Sequence, residues 1–169
     1  MRKIGGDPMS QIKSILVPVD FSAASARALA SARDLAAAFG ATIHLLHVFE
    51  TPLAMGAFMD MYTPAPDDYV ESVATRVRAQ LEALLTEQER TGGRAVVAAR
   101  MGMPGDEILK YAREHGAIDL IVLATTGRGR VARLMMGSVA DVIVRSAPCP
   151  VLTVHPHDRD EVKESGRAA

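Results

Sequence analysis

The sequence predicts an α/β protein built on an open, mainly parallel five-stranded sheet with helices on both faces, and three observations carry the prediction. Five short apolar runs alternate with four segments whose apolar residues recur at helical spacing. One of the runs, Leu120-Ile121-Val122-Leu123, is apolar at every position, as expected of a strand covered on both faces. Glycines punctuate the boundaries at Gly40, Gly92-Gly93 and Gly116, where helical segments close.

Residues 12–19 form the first run. Ser22 follows as a candidate helix cap ahead of Ala24, Ala28, Leu29, Ala32, Leu35, Ala36 and Phe39. A second strand covers residues 42–49, and the segment 50–68 is an irregular insertion rich in Met and Pro, too apolar for an ordinary solvated loop and suited to packing over a site or a partner subunit. Val70, Val73, Val77, Leu81, Leu84 and Leu85 then predict one long amphipathic helix ending near Thr91-Gly92-Gly93. A third strand spans 94–101, Pro104-Gly105-Asp106 starts a short helix, the fourth strand covers 120–124, a helix starts at Ser138, and the last strand covers 151–154. One domain is expected over residues 12–155, with an extension at 1–11 and a tail at 156–169 whose seven charges in fourteen residues predict disorder.

A chain of 169 residues, 49% apolar, buries a real core. The formal net charge of −1 and the lack of Trp beside three Tyr and four Phe argue against nucleic acid as a partner. No apolar run reaches the ~18 residues a bilayer demands, the first ten residues hold no apolar signal core, and one cysteine, Cys149, cannot close an intramolecular disulfide. A cytoplasmic protein without a membrane partner is the expectation. Cys149, between two prolines, reads as a small buried residue.

The functional signal lies after the fourth strand. Gly127 and Gly129 permit close backbone approach, and Gly137-Ser138 precedes Val139, Val142 and Ile143 at helical spacing, so free N–H groups at a helix start can meet an anion. Between Leu120 and Pro150 four arginines (Arg128, Arg130, Arg133, Arg145) face one acid, Asp141, a local basic excess in a chain of nearly balanced charge. Ligands of open α/β sheets sit outside the carboxyl ends of strands, where Asp20 ends the first run and Thr125 and Thr126 follow the fourth. Asp20 can accept from a ribose hydroxyl or adenine amino group, or hold a metal; equally, it can cap the next helix, a role for which Ser22 competes. Thr125 and Thr126 can donate to phosphate oxygens. His44 and His47, three apart in a strand, point to opposite faces and read as structural, and neither they nor His155 and His157 have the ligand spacing of a metal site. A Walker motif and a G-x-S-x-G nucleophile elbow are both missing from the sequence.

Taken together, Ile15-Leu16-Val17-Pro18-Val19-Asp20-Phe21-Ser22, the strand from Ile43 to Val48, Ala124-x2-Gly127-x9-Gly137-Ser138 and the closing Ala147-Pro148-Cys149-Pro150-Val151-Leu152 closely resemble the universal stress protein family from about residue 12 to 155. The resemblance implies the strand order 3-2-1-4-5 and a homodimer through the last strand, residues 151–154. The family's ATP-binding branch carries Gly-x2-Gly-x9-Gly followed by Ser or Thr. By resemblance Pro18, Val19, Asp20, Ile43, Gly127, Arg128, Gly137, Ser138 and Val139 would surround ATP, or ADP or AMP, with Mg accompanying the phosphates. Ala124 stands where that motif has its first glycine; its β-carbon obstructs a ligand if the backbone there needs positive φ and is harmless if the residue belongs to the strand. The expected function is regulatory nucleotide binding with slow or no hydrolysis, the alternative a dimeric interaction module that binds no nucleotide.

Overall fold

The computed structural model describes residues 12–50, 67–116, 118–125 and 138–155. The apolar runs become β1 (Ser14–Pro18), β2 (Thr42–Phe49), β3 (Ala95–Met101), β4 (Leu120–Ala124) and β5 (Val151–Val154). Between them lie α1 (Ala23–Phe39), α2 (Asp67–Leu84), α3 (Glu87–Thr91), α4 (Pro104–Glu114) and α5 (Ser138–Ser146). The sheet order is β3-β2-β1-β4-β5 and all four pairings are parallel.

Strand alternation sends side chains to opposite faces, and each face has its own core. On one, Val17, Leu45 and Val122 meet Ala28, Leu29 and Ala32 of α1 and Ala74, Val77 and Leu81 of α2. On the other, Leu16, Leu46 and Ile121 meet Ile108, Tyr111 and Ala112 of α4 and Ala140 and Ile143 of α5. The alanine stripe of α1 lets its backbone approach the sheet closely. Ile121 and Val122, neighbours in β4, are both fully buried, which is why that run shows no polar alternation. Each such aliphatic side chain contributes about 1.5–3 kcal/mol by leaving water.

Local chemistry sets the ends of α1. Ser22 Oγ accepts from the Ser25 N–H at 3.1 Å, and Gly40, left-handed at φ 66°, donates its N–H to the Ala36 carbonyl. At the amino edge of the sheet the Asp119 carboxylate accepts from the Lys13 and Ser14 N–H groups at 2.9 and 3.2 Å, tying the starts of β4 and β1 together.

The long helix expected from residue 70 to about 91 is instead two. Thr86 breaks it with a capping box: its side chain accepts from the Glu89 N–H at 3.2 Å while the Glu89 carboxylate accepts from the Thr86 N–H at 2.7 Å. The Thr-x-x-Glu spacing was visible in the sequence, but the apolar periodicity running through Leu84 and Leu85 masked it. The extension 1–11, the tail 156–169 and most of the insertion 50–68 lie outside the described residues.

Candidate functional site

The sheet opens between β1 and β4. Their ladder pairs Ile15 with Leu120 and Leu16 with Ile121. Beyond it the two strands turn to different neighbours: the Val19 N–H donates to the Leu46 carbonyl of β2 at 2.8 Å, and the Thr125 N–H donates to the Val154 carbonyl of β5 at 3.1 Å. The helices leaving these strands lie on opposite faces, α1 in one core and α5 in the other. This is the switch point of a doubly wound sheet, where a crevice forms at the carboxyl ends.

Pro18, Val19 and Asp20 form one wall. Asp20 is not the cap of α1; that role belongs to Ser22, and Asp20 Oδ1 instead accepts from the Ser22 N–H at 3.0 Å and from Ser22 Oγ at 2.5 Å. Between them Phe21 sits at φ 59°, the one non-glycine residue with positive φ among the described residues. Its ring lies 4.7 Å from that of His47, and His47 Nδ1 donates to the Val19 carbonyl at 2.6 Å. Nothing in the sequence signals the left-handed Phe21, since a phenylalanine disfavours that region, and His47 reads there as a structural residue.

The other wall starts at Ala124, the last residue of β4, paired with Val154 in the ladder. Its φ is not positive, so the motif position occupied by alanine is strand backbone and the left-handed conformation that would demand glycine is not used here. Ser138 is exposed at the start of α5, and Val139 packs partly against the core beneath. Gly127, Arg128 and Gly137 lie outside the described residues, as do Thr126, Gly129, Arg130 and Arg133.

Three expected contributors are placed elsewhere. Ile43 is buried at the amino end of β2, in register with Ile15 and Ala95, whereas Pro18 pairs three residues further on with Leu46. At about 3.3 Å per residue that is roughly 10 Å from the crevice, and His47, Val48 and Phe49 are the β2 residues at the carboxyl end. Arg145 belongs to the last turn of α5, remote from Ser138, and its Nε donates to both carboxylate oxygens of Asp141 at 3.0 Å. Thr125 is buried with its hydroxyl 3.0 Å from His155 Nδ1, tying the end of β4 to the end of β5 instead of facing a phosphate.

His44 and His47 do face opposite sides. His44 lies on the α4 side with Nδ1 3.0 Å from the Tyr111 hydroxyl, near His115, whose ring stacks on Tyr111 at 4.0 Å. Burial, and then the charge of His115, hold His44 below the ordinary histidine range. Cys149 is partly buried against the same core, and burial, with the Asp119 carboxylate adding to it, raises its thiol above the usual range. That keeps it the protonated, poor nucleophile. Among the described residues no cluster of three or more His, Cys, Asp or Glu side chains can hold a metal ion, and no helix is long and apolar enough to cross a membrane.

The architecture and sequence can be set beside known proteins. Residues 11–155 match the family model described as the universal stress protein family. Universal stress protein MJ0531 of Methanocaldococcus jannaschii is 30% identical over 145 residues, covering 84% of this chain and 81% of that protein. The structure of universal stress protein UspA from Lactobacillus plantarum superposes with a TM-score of 0.66 at 28% identity, covering 85% of this chain and 98% of that one. A universal stress protein in complex with cAMP superposes with a TM-score of 0.55 at 21% identity, covering 86% of this chain and 98% of that one.

Proposed function

The chain belongs to the universal stress protein family, and from that premise we propose that it is a regulatory protein whose crevice between β1 and β4 binds ATP or a related adenine nucleotide. The observation that carries this reading is the divergence of the two strands, with Val19 bonded toward β2 and Thr125 toward β5. Ligand crevices of doubly wound sheets form at such a point, here between the Asp20 turn on one side and the start of α5 on the other. Pro18, Val19 and Asp20 would line the nucleoside, Asp20 accepting from a hydroxyl or amino group. Gly127, Gly137, Ser138 and Val139 would offer backbone and hydroxyl donors to phosphates at the start of α5, with Arg128 adding charge. Ala124, as strand backbone, is compatible with this arrangement. That a related protein was solved with cAMP supports an adenine nucleotide as the ligand class.

Among the described residues neither wall supplies an evident base or water-positioning group, which fits a regulatory role with slow or no hydrolysis. The lone cysteine, with its raised thiol, suits a reducing, cytoplasmic setting. Two copies would pair through the outer edge of β5.

Calorimetric titration with ATP and Mg tests the reading. Saturable binding that Gly127→Val abolishes is the expected result, because a β-branched side chain would fill the loop at the phosphates. No binding at millimolar nucleotide would leave the second reading, a dimeric interaction module, which exposed Val142 and Val144 on α5 and Leu152 on β5 favour.

A further inference from the structure

His47 sits near the carboxyl end of β2, on the strand face it shares with Leu45 and Phe49 and paired with Ala99. It touches the β1–α1 turn at two points that bracket Asp20. Before Asp20, Nδ1 lies 2.6 Å from the Val19 carbonyl. A carbonyl only accepts, so Nδ1 carries a proton and donates. After Asp20, the imidazole lies 4.7 Å from the Phe21 ring, tilted by 42°.

The turn needs such support. Phe21 is held at φ 59°, where a β-carbon crowds the following carbonyl and the conformation is disfavoured for any side chain. Such a conformation persists only where its surroundings over-determine it. The bonds from Ser22 to Asp20 Oδ1 secure the α1 side of the turn, and the imidazole secures the β2 side.

We propose that His47 is a positioning residue for the nucleotide site: by clamping the chain on both sides of Asp20, it fixes the turn whose carboxylate meets the ligand. The inference rests on the nucleotide-binding reading above. The clamp makes the binding-competent turn the dominant one before the ligand arrives. If its removal lowers the competent population to about a tenth, apparent affinity falls about tenfold.

The test titrates the full chain with Mg-ATP and compares His47→Leu, His47→Asn and Val77→Ala, measuring thermal stability in parallel. His47→Leu removes the donor. His47→Asn places an amide N–H close to the position of Nδ1. Val77→Ala loosens the same core from α2, away from the turn. The expected result is about tenfold weaker binding for His47→Leu, partial recovery in His47→Asn, and unchanged affinity in Val77→Ala despite lower stability. Wild-type affinity in folded His47→Leu, or a loss of affinity in Val77→Ala matching its loss of stability, overturns the positioning role while nucleotide binding stands. A wild-type chain without saturable binding overturns the nucleotide reading itself, and this inference with it.

Discussion

Arg33 of α1 grips Glu89 of α3 with two parallel bonds, Nε to Oε1 at 2.8 Å and Nη2 to Oε2 at 2.9 Å. The same Nη2 donates to the Leu84 carbonyl at 2.7 Å, at the end of α2. One guanidinium thus satisfies a helix end, and it orients the carboxylate that completes the Thr86 capping box. The pairing is what allows the chain to stop one helix and start another there.

Replacing Arg33 with Met is therefore expected to cost about 1–2 kcal/mol, since the charge-assisted bonds are partly solvent-screened. Arg33→Lys should recover little, because an ammonium cannot form the planar fork. Urea denaturation of the three proteins checks both statements.

Acidification should weaken the fold through His44. Burial, then His115, lowers its folded value below that of the unfolded chain, so between the two values the unfolded chain binds more protons. Stability is then complete above the ordinary histidine range and declines as pH falls through it toward the lower folded value. The groups around His44 are Tyr111 of α4 and His115 at its C-cap, with Arg100 4.9 Å from the Tyr111 ring and bonded to Glu114. Denaturation at about pH 7.5 and about pH 5.5 should show a stability loss in the wild type that is reduced in His44→Asn.

Ala124→Gly would restore the glycine of the ATP-binding motif. Because Ala124 is strand backbone, the change should leave nucleotide affinity unaltered and cost about 0.5–1 kcal/mol through added chain entropy. A marked rise in affinity on titration would show that the methyl group obstructs the ligand.

The Thr153 N–H points to the open edge of the sheet. Pro150 and Val154 turn their carbonyls to β4, accepting from Ile121 and Thr125 at 3.0 and 3.1 Å. In a strand with period 2, Val151 and Thr153 then face outward. Thr153→Pro should remove an edge donor without breaking the β4 ladder. Sedimentation velocity is expected to give a dimer for the wild type and a monomer for the variant with its helical signal intact.

The strand runs, the parallel order and the helix at Ser138 were readable because each rests on local apolar spacing or on a motif whose order and spacing survive. What sequence could not locate were features created by packing. Ile43 sat in the right strand but at its amino end, a position that the rule placing ligands at carboxyl ends already argues against. Arg145 counted toward a basic excess, yet its partner at i−4 was there to take it. The hydroxyl of Thr125 turned to His155, thirty residues away. Phe21 showed nothing in its own chemistry, because its conformation is imposed by His47 and by the Asp20–Ser22 bonds.

Asp119, reaching back to the Lys13 N–H across 106 residues, also bears on how the chain acquires its shape. Every neighbouring pair of strands is parallel and joined through an intervening crossover, so no rung can form as a local hairpin. The central β1–β4 rungs join strands that two other strands, β2 and β3, and their helices separate along the chain. Refolding should accordingly be governed by loop-closure entropy and run slower than that of a helical bundle of equal length, with β4 and β5 as the last strands to dock.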